Sequence, residues 1–270
     1  MKLKNKTVDR LKKSYGNWAL VTGATSGIGK ALATQLAKSD FNLVVTGRRE
    51  EQLNSLSTEF FDLFGVETIP IVGDLSQKEA VESLLKETNH LPIGIAILNA
   101  GFGTSGKFIN SEIENELNLL DLNCKSVLQM THHFSNKMKT ETRKGSIVLL
   151  SSMVAFQGVP NAANYSASKA FVQSLGEALA AELRPLGIDV LCAAPGPVES
   201  GFGNRANMNM GMSMLPKDVA VPIISAIGKK PTLFPGTLTK LLVYSLRLLP
   251  RWGKIKVMGK VMHGFTKHQK

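Results

Sequence analysis

The residues best suited to chemistry in this chain stand at 164–170, NYSASKA, where Tyr165 precedes Lys169 by four positions. That interval is just over one helical turn and puts both side chains on one face of a helix. A free phenol, with a pKa of about 10, is a weak base near neutrality. A neighbouring ammonium favours the phenolate and lowers that value. Lys169 is therefore expected to let Tyr165 give a proton to a carbonyl oxygen or take one from an alcohol. Upstream, an apolar run at 145–151 leads into two serines, Ser151 and Ser152. Side chains alternate along a strand, so only one of the two hydroxyls can face the tyrosine and hold the same oxygen. The plain alternative is a Tyr–Lys pair on a solvated helix surface.

Such a pair works only on a scaffold that fixes it. From residue 18 the chain alternates short runs rich in Val, Ile and Leu with longer amphipathic stretches. The runs at 18–23, 42–47, 66–72, 93–100, 145–151 and 188–195 are expected to be strands. Helices are expected over 28–39, 50–64, 76–89, 111–121, 123–141, 164–184 and 216–228. The strand runs show little polar alternation, as in a parallel sheet buried on both faces. Repeated β–α units of this length predict a doubly wound α/β fold, a Rossmann-type parallel sheet whose ligands bind at the carboxyl ends of the strands. No repeat, low-complexity tract or interdomain linker is visible. The expected division is a basic N-terminal extension at 1–16, a dinucleotide-binding and catalytic domain at 17–234, and a basic amphipathic C-terminal appendage at 235–270.

At the first strand–helix junction stands TGATSGIG, residues 22–29. Glycines there let backbone approach a pyrophosphate closely, and the following helix N-terminus offers free N–H groups and the positive end of its dipole. A glycine turn alone is ordinary; one placed after the first strand and before a helix reads as a dinucleotide site. At the end of the second strand, where an acid would bind a ribose 2′-hydroxyl, the sequence reads TGRRE: Gly47, then Arg48 and Arg49. A missing acid and two arginines favour a 2′-phosphate, hence NADP(H) over NAD(H).

The glycine spacing, G-x-x-x-G-x-G, resembles that of the short-chain dehydrogenase/reductase family, NADP-type, and later motifs agree in order. NAG (99–101) follows the fourth strand, Asn123 stands between two helices, Ser152 precedes Tyr165 by 13 residues, Lys169 completes Y-x-x-x-K, and PGPVES (195–200) follows the sixth strand. The resemblance covers roughly 18–230. It implies a sheet of about seven strands, a nicotinamide cofactor and a homodimer. It selects Ser152 over Ser151, and has Asn123 fix a water that passes protons to Lys169. It assigns the cofactor to Gly23, Ser26, Gly27, Ile28 and Gly29 of the turn, Asp74 and Leu75 at the adenine, and Asn99, Ala100 and Gly101 at the ribose. Pro195, Gly196, Val198 and Ser200 complete the set at the nicotinamide, beside Tyr165 and Lys169. The family usually carries threonine where Ser200 stands; serine keeps the hydroxyl. The implied reaction moves a hydride between nicotinamide and a carbonyl or secondary alcohol, resembling ketoacyl reductases and hydroxysteroid dehydrogenases. The alternative is a catalytically weak NADP(H)-binding sensor or scaffold.

The substrate side is read from 201–215, GFGNRANMNMGMSML, with Met208, Met210, Met212 and Met214. Methionine is apolar and adaptable, which suits a mobile lid over a greasy substrate; an ordinary flexible loop is the alternative. Phe102, Met153 and Phe202 flank the motifs as candidate pocket walls. The small residues Ala167, Ala170, Ser174, Ala178 and Ala181 along 164–184 suit close helix packing, either between subunits or onto the sheet.

The formal charge of +11 sits at the two ends. Residues 1–16 hold six Lys/Arg and one acid, residues 219–270 hold ten and none, and residues 17–218 are net −4. Basic ends fit anionic partners or plain solvated charge. No basic–aromatic recognition motif accompanies them, so no nucleic-acid partner is expected. The stretch LTKLLVYSLRLLPRWGKIKVMGKVM is too short and too charged to span a bilayer. It fits either a peripheral contact with Trp252 at headgroup level or a helix packed on the domain. Two distant cysteines, Cys124 and Cys192, fit a reducing compartment and a cytoplasmic enzyme. The histidines, including the pair His132–His133, lack metal-type spacing, so no metal is expected.

Overall fold

The apolar runs become seven strands: β1 (Trp18–Thr22), β2 (Asn42–Gly47), β3 (Thr68–Val72), β4 (Ile93–Leu98), β5 (Gly145–Leu150), β6 (Ile188–Ala193) and β7 (Thr232–Leu233). In the computed structural model, which describes residues 3–141, 143–211 and 213–269, they form one sheet in the order β3-β2-β1-β4-β5-β6-β7. Every neighbouring pair is parallel. All residues of β1, β4 and β5 are buried because helices cover both faces. Pro70, which cannot donate to a ladder, is tolerated because β3 is an edge. The short β7 lies in a stretch to which the sequence assigned no element.

The helices are α1 (Asn5–Tyr15), α2 (Gly27–Ala37), α3 (Glu50–Phe64), α4 (Lys78–Glu87), α5 (Ile113–Leu120), α6 (Ser126–Thr140), α7 (Ala163–Glu182), α8 (Phe202–Arg205), α9 (Pro216–Ala226), α10 (Thr237–Arg247) and α11 (Arg251–Phe265). One core layer joins α1, α2, α3 and α9 to the sheet through residues such as Leu11, Leu32, Leu53 and Val219. The other joins α4, α6 and α7 through Val81, Phe134 and Val172. The expected break between 121 and 123 is a wide π-turn, Asp121–Lys125, that carries α5 into α6 without interruption.

The basic N-terminal stretch is a packed helix rather than bare charge. Leu3, Leu11 and Tyr15 are buried. Tyr15 donates its hydroxyl to Asp189 at 2.7 Å and Arg10 donates to the carbonyl of Ile227 at 2.8 Å. The second residue of β4, Gly94, lies directly against the Tyr15 carbonyl, so α1 crosses the amino ends of the strands. The C-terminal stretch folds as α10 and α11 at the opposite, carboxyl end. Val243, Leu246, Met258 and Met262 are buried there.

Candidate active site

Strand order reverses between β1 and β4, and the crevice at that switch point is where a doubly wound sheet receives a ligand. Thr22, the last residue of β1, fixes it: its hydroxyl accepts the N–H groups of Asn99 and Ala100, each at 2.9 Å. Those bonds end β4 at Leu98, two residues before the apolar run stops. Asn99 donates its amide to the Thr22 carbonyl at 2.9 Å, which lays the NAG turn against the glycine turn. Gly27 has φ 55°, and a Cβ there would come 2.9 Å from Cβ of Ser200. A Cβ on Gly29 would strike the Gly23 carbonyl. This cradle opens at the N-terminus of α2, where the Ser26 hydroxyl caps nothing and is free for a ligand. The residues present therefore fit a dinucleotide pyrophosphate.

Gly23, Ser26, Gly27, Ile28, Arg48, Arg49, Asp74, Leu75, Asn99, Ala100, Gly101, Pro195, Gly196, Val198 and Ser200 line one cavity of about 950 Å³ together with Ser152, Tyr165 and Lys169. Gly29 lies behind it as packing, and Asn123 is fully buried beneath it. At the far end, Arg49 donates to the Thr25 hydroxyl at 2.7 Å and Arg48 reaches Asp74 at 3.4 Å. Burial raises the Asp74 pKa, but hydrogen bonds from Ser76 and the charge of Arg48 outweigh it and hold the carboxyl below its usual range. Sequence reasoning missed a third guanidinium: Arg205 of α8 lines the same cavity. Burial, then the charges of Arg48 and Arg49, push its pKa down, which places three cations around one space. A lone arginine in a loop gave no local signal of this.

The acid–base residues come together as expected, with one correction. Ser152 follows β5 and caps the 3-10 turn Met153–Phe156, accepting the Val154 N–H at 3.4 Å. Its proton then points elsewhere, and the Ser152 hydroxyl pulls the Tyr165 pKa down. Ser151 faces the other way and donates to the Lys169 carbonyl at 3.2 Å. The expected lowering of the tyrosine by Lys169 is not what the chain alone provides. The Lys169 ammonium donates to the Leu150 carbonyl at 2.8 Å and lies 5.9 Å from the centre of the Tyr165 ring. Burial, only partly offset by Ser152, pushes Tyr165 up to about 12. Burial also pushes Lys169 down to about 8. Desolvation thus outweighs the Ser152 hydrogen bond and keeps Tyr165 protonated.

Asn123 sits on the π-turn and uses both ends of its amide. It accepts from the Phe102 N–H at 3.1 Å, and donates to the Phe102 carbonyl at 2.8 Å and the Ser168 hydroxyl at 3.1 Å. It ties the loop after β4 to α7 and so sets the wall beside Lys169. Capping, the ordinary role for such an asparagine, is not what it does.

Above the acid–base group the cavity is apolar. Phe102, Met153 and Phe202 line it as expected, with Phe202 5.1 Å from the Tyr165 ring, centre to centre. Met208 and Met210 line it too, whereas Met214 pairs with Val198 through Glu199 N–H to Met214 carbonyl at 2.8 Å and serves as a strut. Met212 lies outside the described residues. The roof was not foreseen: Leu242 and Leu246 of α10, and Met258, Met262 and Phe265 of α11. Thr239 accepts the Gly196 N–H at 3.2 Å and His268, just after α11, pairs with Asn207 at 2.9 Å, so the C-terminal stretch is fastened to both the PGPVES turn and the 201–215 segment. No cluster of metal-binding side chains occurs among the described residues.

Comparison with known proteins agrees with this geometry. Residues 17–211 match the family model described as short chain dehydrogenase. A 7beta-hydroxysteroid dehydrogenase of Collinsella aerofaciens is 30% identical over 237 residues, covering 85% of this chain and 90% of its own. A solved 7beta-hydroxysteroid dehydrogenase structure superposes with a TM-score of 0.84 at 28% identity, covering 92% of this chain and 98% of that one. A short-chain dehydrogenase from Sphingobium yanoikuyae in complex with NADPH gives 0.77 at 25% identity, covering 86% and 93%. With the sheet order, the glycine cradle and the Ser152–Tyr165–Lys169 group on one cavity, these matches identify the chain as a member of the short-chain dehydrogenase family, an oxidoreductase that uses a nicotinamide cofactor to interconvert an alcohol and a carbonyl on a small molecule.

Proposed function

We propose that this enzyme is a cytoplasmic, homodimeric NADP(H)-dependent reductase or dehydrogenase of a bulky apolar carbonyl or secondary alcohol, of steroid or long acyl type. The observation that carries the reading is the apolar roof of α10, α11 and the lid facing Tyr165 across the cavity floor. The names of similar proteins, which act on 7β-hydroxysteroids, support the substrate class. Free Cys124 and Cys192 are consistent with a reducing compartment.

The glycine turn, Asp74, Leu75 and Asn99–Gly101 would hold the dinucleotide, and Val198 and Ser200 its carboxamide. When bound, the cofactor supplies or accepts the hydride. The chain's own groups do the rest. Ser152 donates a hydrogen bond to the substrate oxygen and orients it. Tyr165, kept protonated by burial, gives its proton to that oxygen in reduction and recovers it in oxidation. Lys169, with a pKa pushed down to about 8, is poised to restore the proton through a water held at the Asn123 turn. The roof excludes water from the reacting carbon.

Arg48, Arg49 and Arg205 support the 2′-phosphate preference, since guanidinium–phosphate pairs are charge-assisted and often bidentate. Fluorescence titration is expected to give NADPH at least about tenfold tighter binding than NADH, because a hydrogen bond to a charged group is worth ~1.5–3 kcal/mol. Arg48→Ala and Arg205→Ala should each narrow the gap. Equal affinities in the unaltered protein would overturn the cofactor assignment. A panel of apolar ketones, followed by loss of NADPH absorbance, tests the substrate class.

A further inference from the structure

A helix packed on a globular domain needs one apolar face. Helix α10 has two. Leu242, Val243 and Leu246 turn towards the cavity and core. Leu241 and Tyr244 lie on its other face, and the exposed stripe continues along the chain through Leu248, just after α10 ends, to Trp252 at the start of α11. These four are 68%, 53%, 88% and 71% exposed. Large side chains left this open on consecutive turns mark a contact surface rather than scattered exposure.

The chemistry of the rim says what the surface meets. Lys240, Arg247, Arg251, Lys254, Lys256 and Lys260 stand on the same two helices, and residues 219–270 contain no acid. Arg247 lies 5.3 Å from the Tyr244 ring and keeps its charge beside the apolar stripe. Leucine and tryptophan bordered by lysine and arginine match a bilayer interface, where apolar groups enter the acyl boundary and cations meet anionic headgroups. A second copy of the chain fits poorly, since a two-fold contact through this face would set the same cations against each other. No helix among the described residues is long and apolar enough to cross a membrane, so the contact lies on the surface.

The stripe also adjoins the entrance to the site. Val257 and Val261 of α11 line the cavity yet remain partly open to solvent, so the cavity opens beside the same helices. We infer that the outer face of α10–α11 docks on an anionic lipid bilayer and turns the cavity mouth towards it, so that an apolar substrate enters from the lipid. The docking stands on this surface alone; the entry route rests on the apolar-substrate reading above.

Co-sedimentation of the full chain with vesicles tests the docking without cofactor or substrate. Binding to phosphatidylcholine vesicles containing phosphatidylglycerol should exceed binding to phosphatidylcholine alone by at least about tenfold at low salt, and fall as salt rises. Leu248→Ser with Trp252→Ser should cut that binding about tenfold, with kcat/KM for a water-soluble ketone unchanged, since neither side chain lines the cavity. No binding of the unaltered protein at low salt overturns the inference. So does undiminished binding by the double variant. Conversion of a dimer to a monomer by the double variant, seen by light scattering, would assign the face to a second copy and also overturn it. NADPH titration in the same preparation reports separately on the proposed activity.

Discussion

Helix α1 and the α10–α11 pair are both rich in lysine and arginine, and they lie at opposite ends of the strands. At the amino ends, α1 and the residues before it bury Leu3, Leu11 and Tyr15 in the larger core and tie Arg10 and Tyr15 to Ile227 and Asp189. At the carboxyl ends, α10 and α11 bury Leu246, Met258 and Met262 over the cavity. The two ends carry the same charge pattern and differ in what they close, the foot of the sheet in one case and the reaction cavity in the other. Each also lies beside a tyrosine whose hydroxyl faces a polar partner, Tyr15 buried and Tyr165 partly buried. Tyr15 donates to Asp189 and Tyr165 faces Ser152, and burial raises the pKa of both. What separates them is the space around the hydroxyl. The Tyr15 hydroxyl is packed against Gly228, whereas Tyr165 borders the cavity of about 950 Å³.

The two tyrosines give the largest contrast. Tyr165→Phe should leave NADPH binding and the unfolding midpoint nearly unchanged while turnover falls by about 10²–10⁴, the usual worth of a general acid. Tyr15→Phe should do the reverse. It leaves the Asp189 carboxylate without its partner, which costs about 1.5–3 kcal/mol of stability, while turnover stays the same. Steady-state rates and urea unfolding on both variants check the pair. Comparable turnover in Tyr165→Phe would remove that residue from the acid–base role.

This contrast could not be read from the sequence, although much else could. The glycine turn, NAG, Ser152 and PGPVES were legible because each follows a short apolar run, and strands of a buried parallel sheet end where such runs end; Tyr165 and Lys169 were legible from their four-residue spacing on one helix. Alternation left only one of Ser151 and Ser152 to face the site, and the family spacing to Tyr165 selected Ser152. The roof was not legible. Leu242 and Met258 share the cavity with Tyr165 across a large sequence separation, and the same leucine pattern serves packing or lipid equally well. Helix α1 escaped because only a few apolar residues stand among four cations, and its partners Asp189 and Ile227 lie far along the chain. The action of Lys169 on Tyr165 was misjudged because spacing gives a shared face but neither a distance nor a degree of burial.

Lys169 and Tyr15 should also titrate in opposite senses. Lys169 has a folded pKa of about 8 against an ordinary 10.5. Between those values the unfolded chain binds more protons than the folded one, so this group makes stability rise with pH from about 8. Tyr15 is raised above its ordinary 10.0. Above pH 10 the unfolded chain loses that proton first, so this group makes stability fall. Buried Cys192, pushed up to about 12 from 9.0, adds to the fall from pH 9. The cofactor-free protein should therefore gain stability relative to Lys169→Met between pH 7.5 and 9.5, and lose it relative to Tyr15→Phe above pH 10. Unfolding midpoints across this range check both, and parallel profiles for the protein and its Lys169→Met variant would remove the lysine from the account.

Helix α7 runs between the two ends and gives the smallest expected effect on activity. Its inner face carries Lys169 and Val172 to the site and core. Its outer face presents the small residues Ala167, Ser174, Ala178 and Ala181, all exposed, with Ala170 half-buried. None is therefore spent on the sheet, the competing use that the sequence left open. Beside it, α5 and α6 expose Leu117 and Leu128, and α5 is fastened to α7 by the Asn164 amide donating to the Glu116 carbonyl at 2.9 Å. Small residues let a second helix approach closely, and the neighbouring leucines supply apolar area for an isologous contact. The protein is expected to be a dimer at micromolar concentration in light scattering. Ala178→Arg should shift it towards monomer by placing two like charges at the two-fold contact. Because none of these outward residues lines the cavity, kcat should change by less than about threefold, the product of a loss below about 0.7 kcal/mol in transition-state stabilisation. A monomer in the unaltered protein would reject this contact, and an Ala178→Arg dimer of undiminished strength would move it to another face.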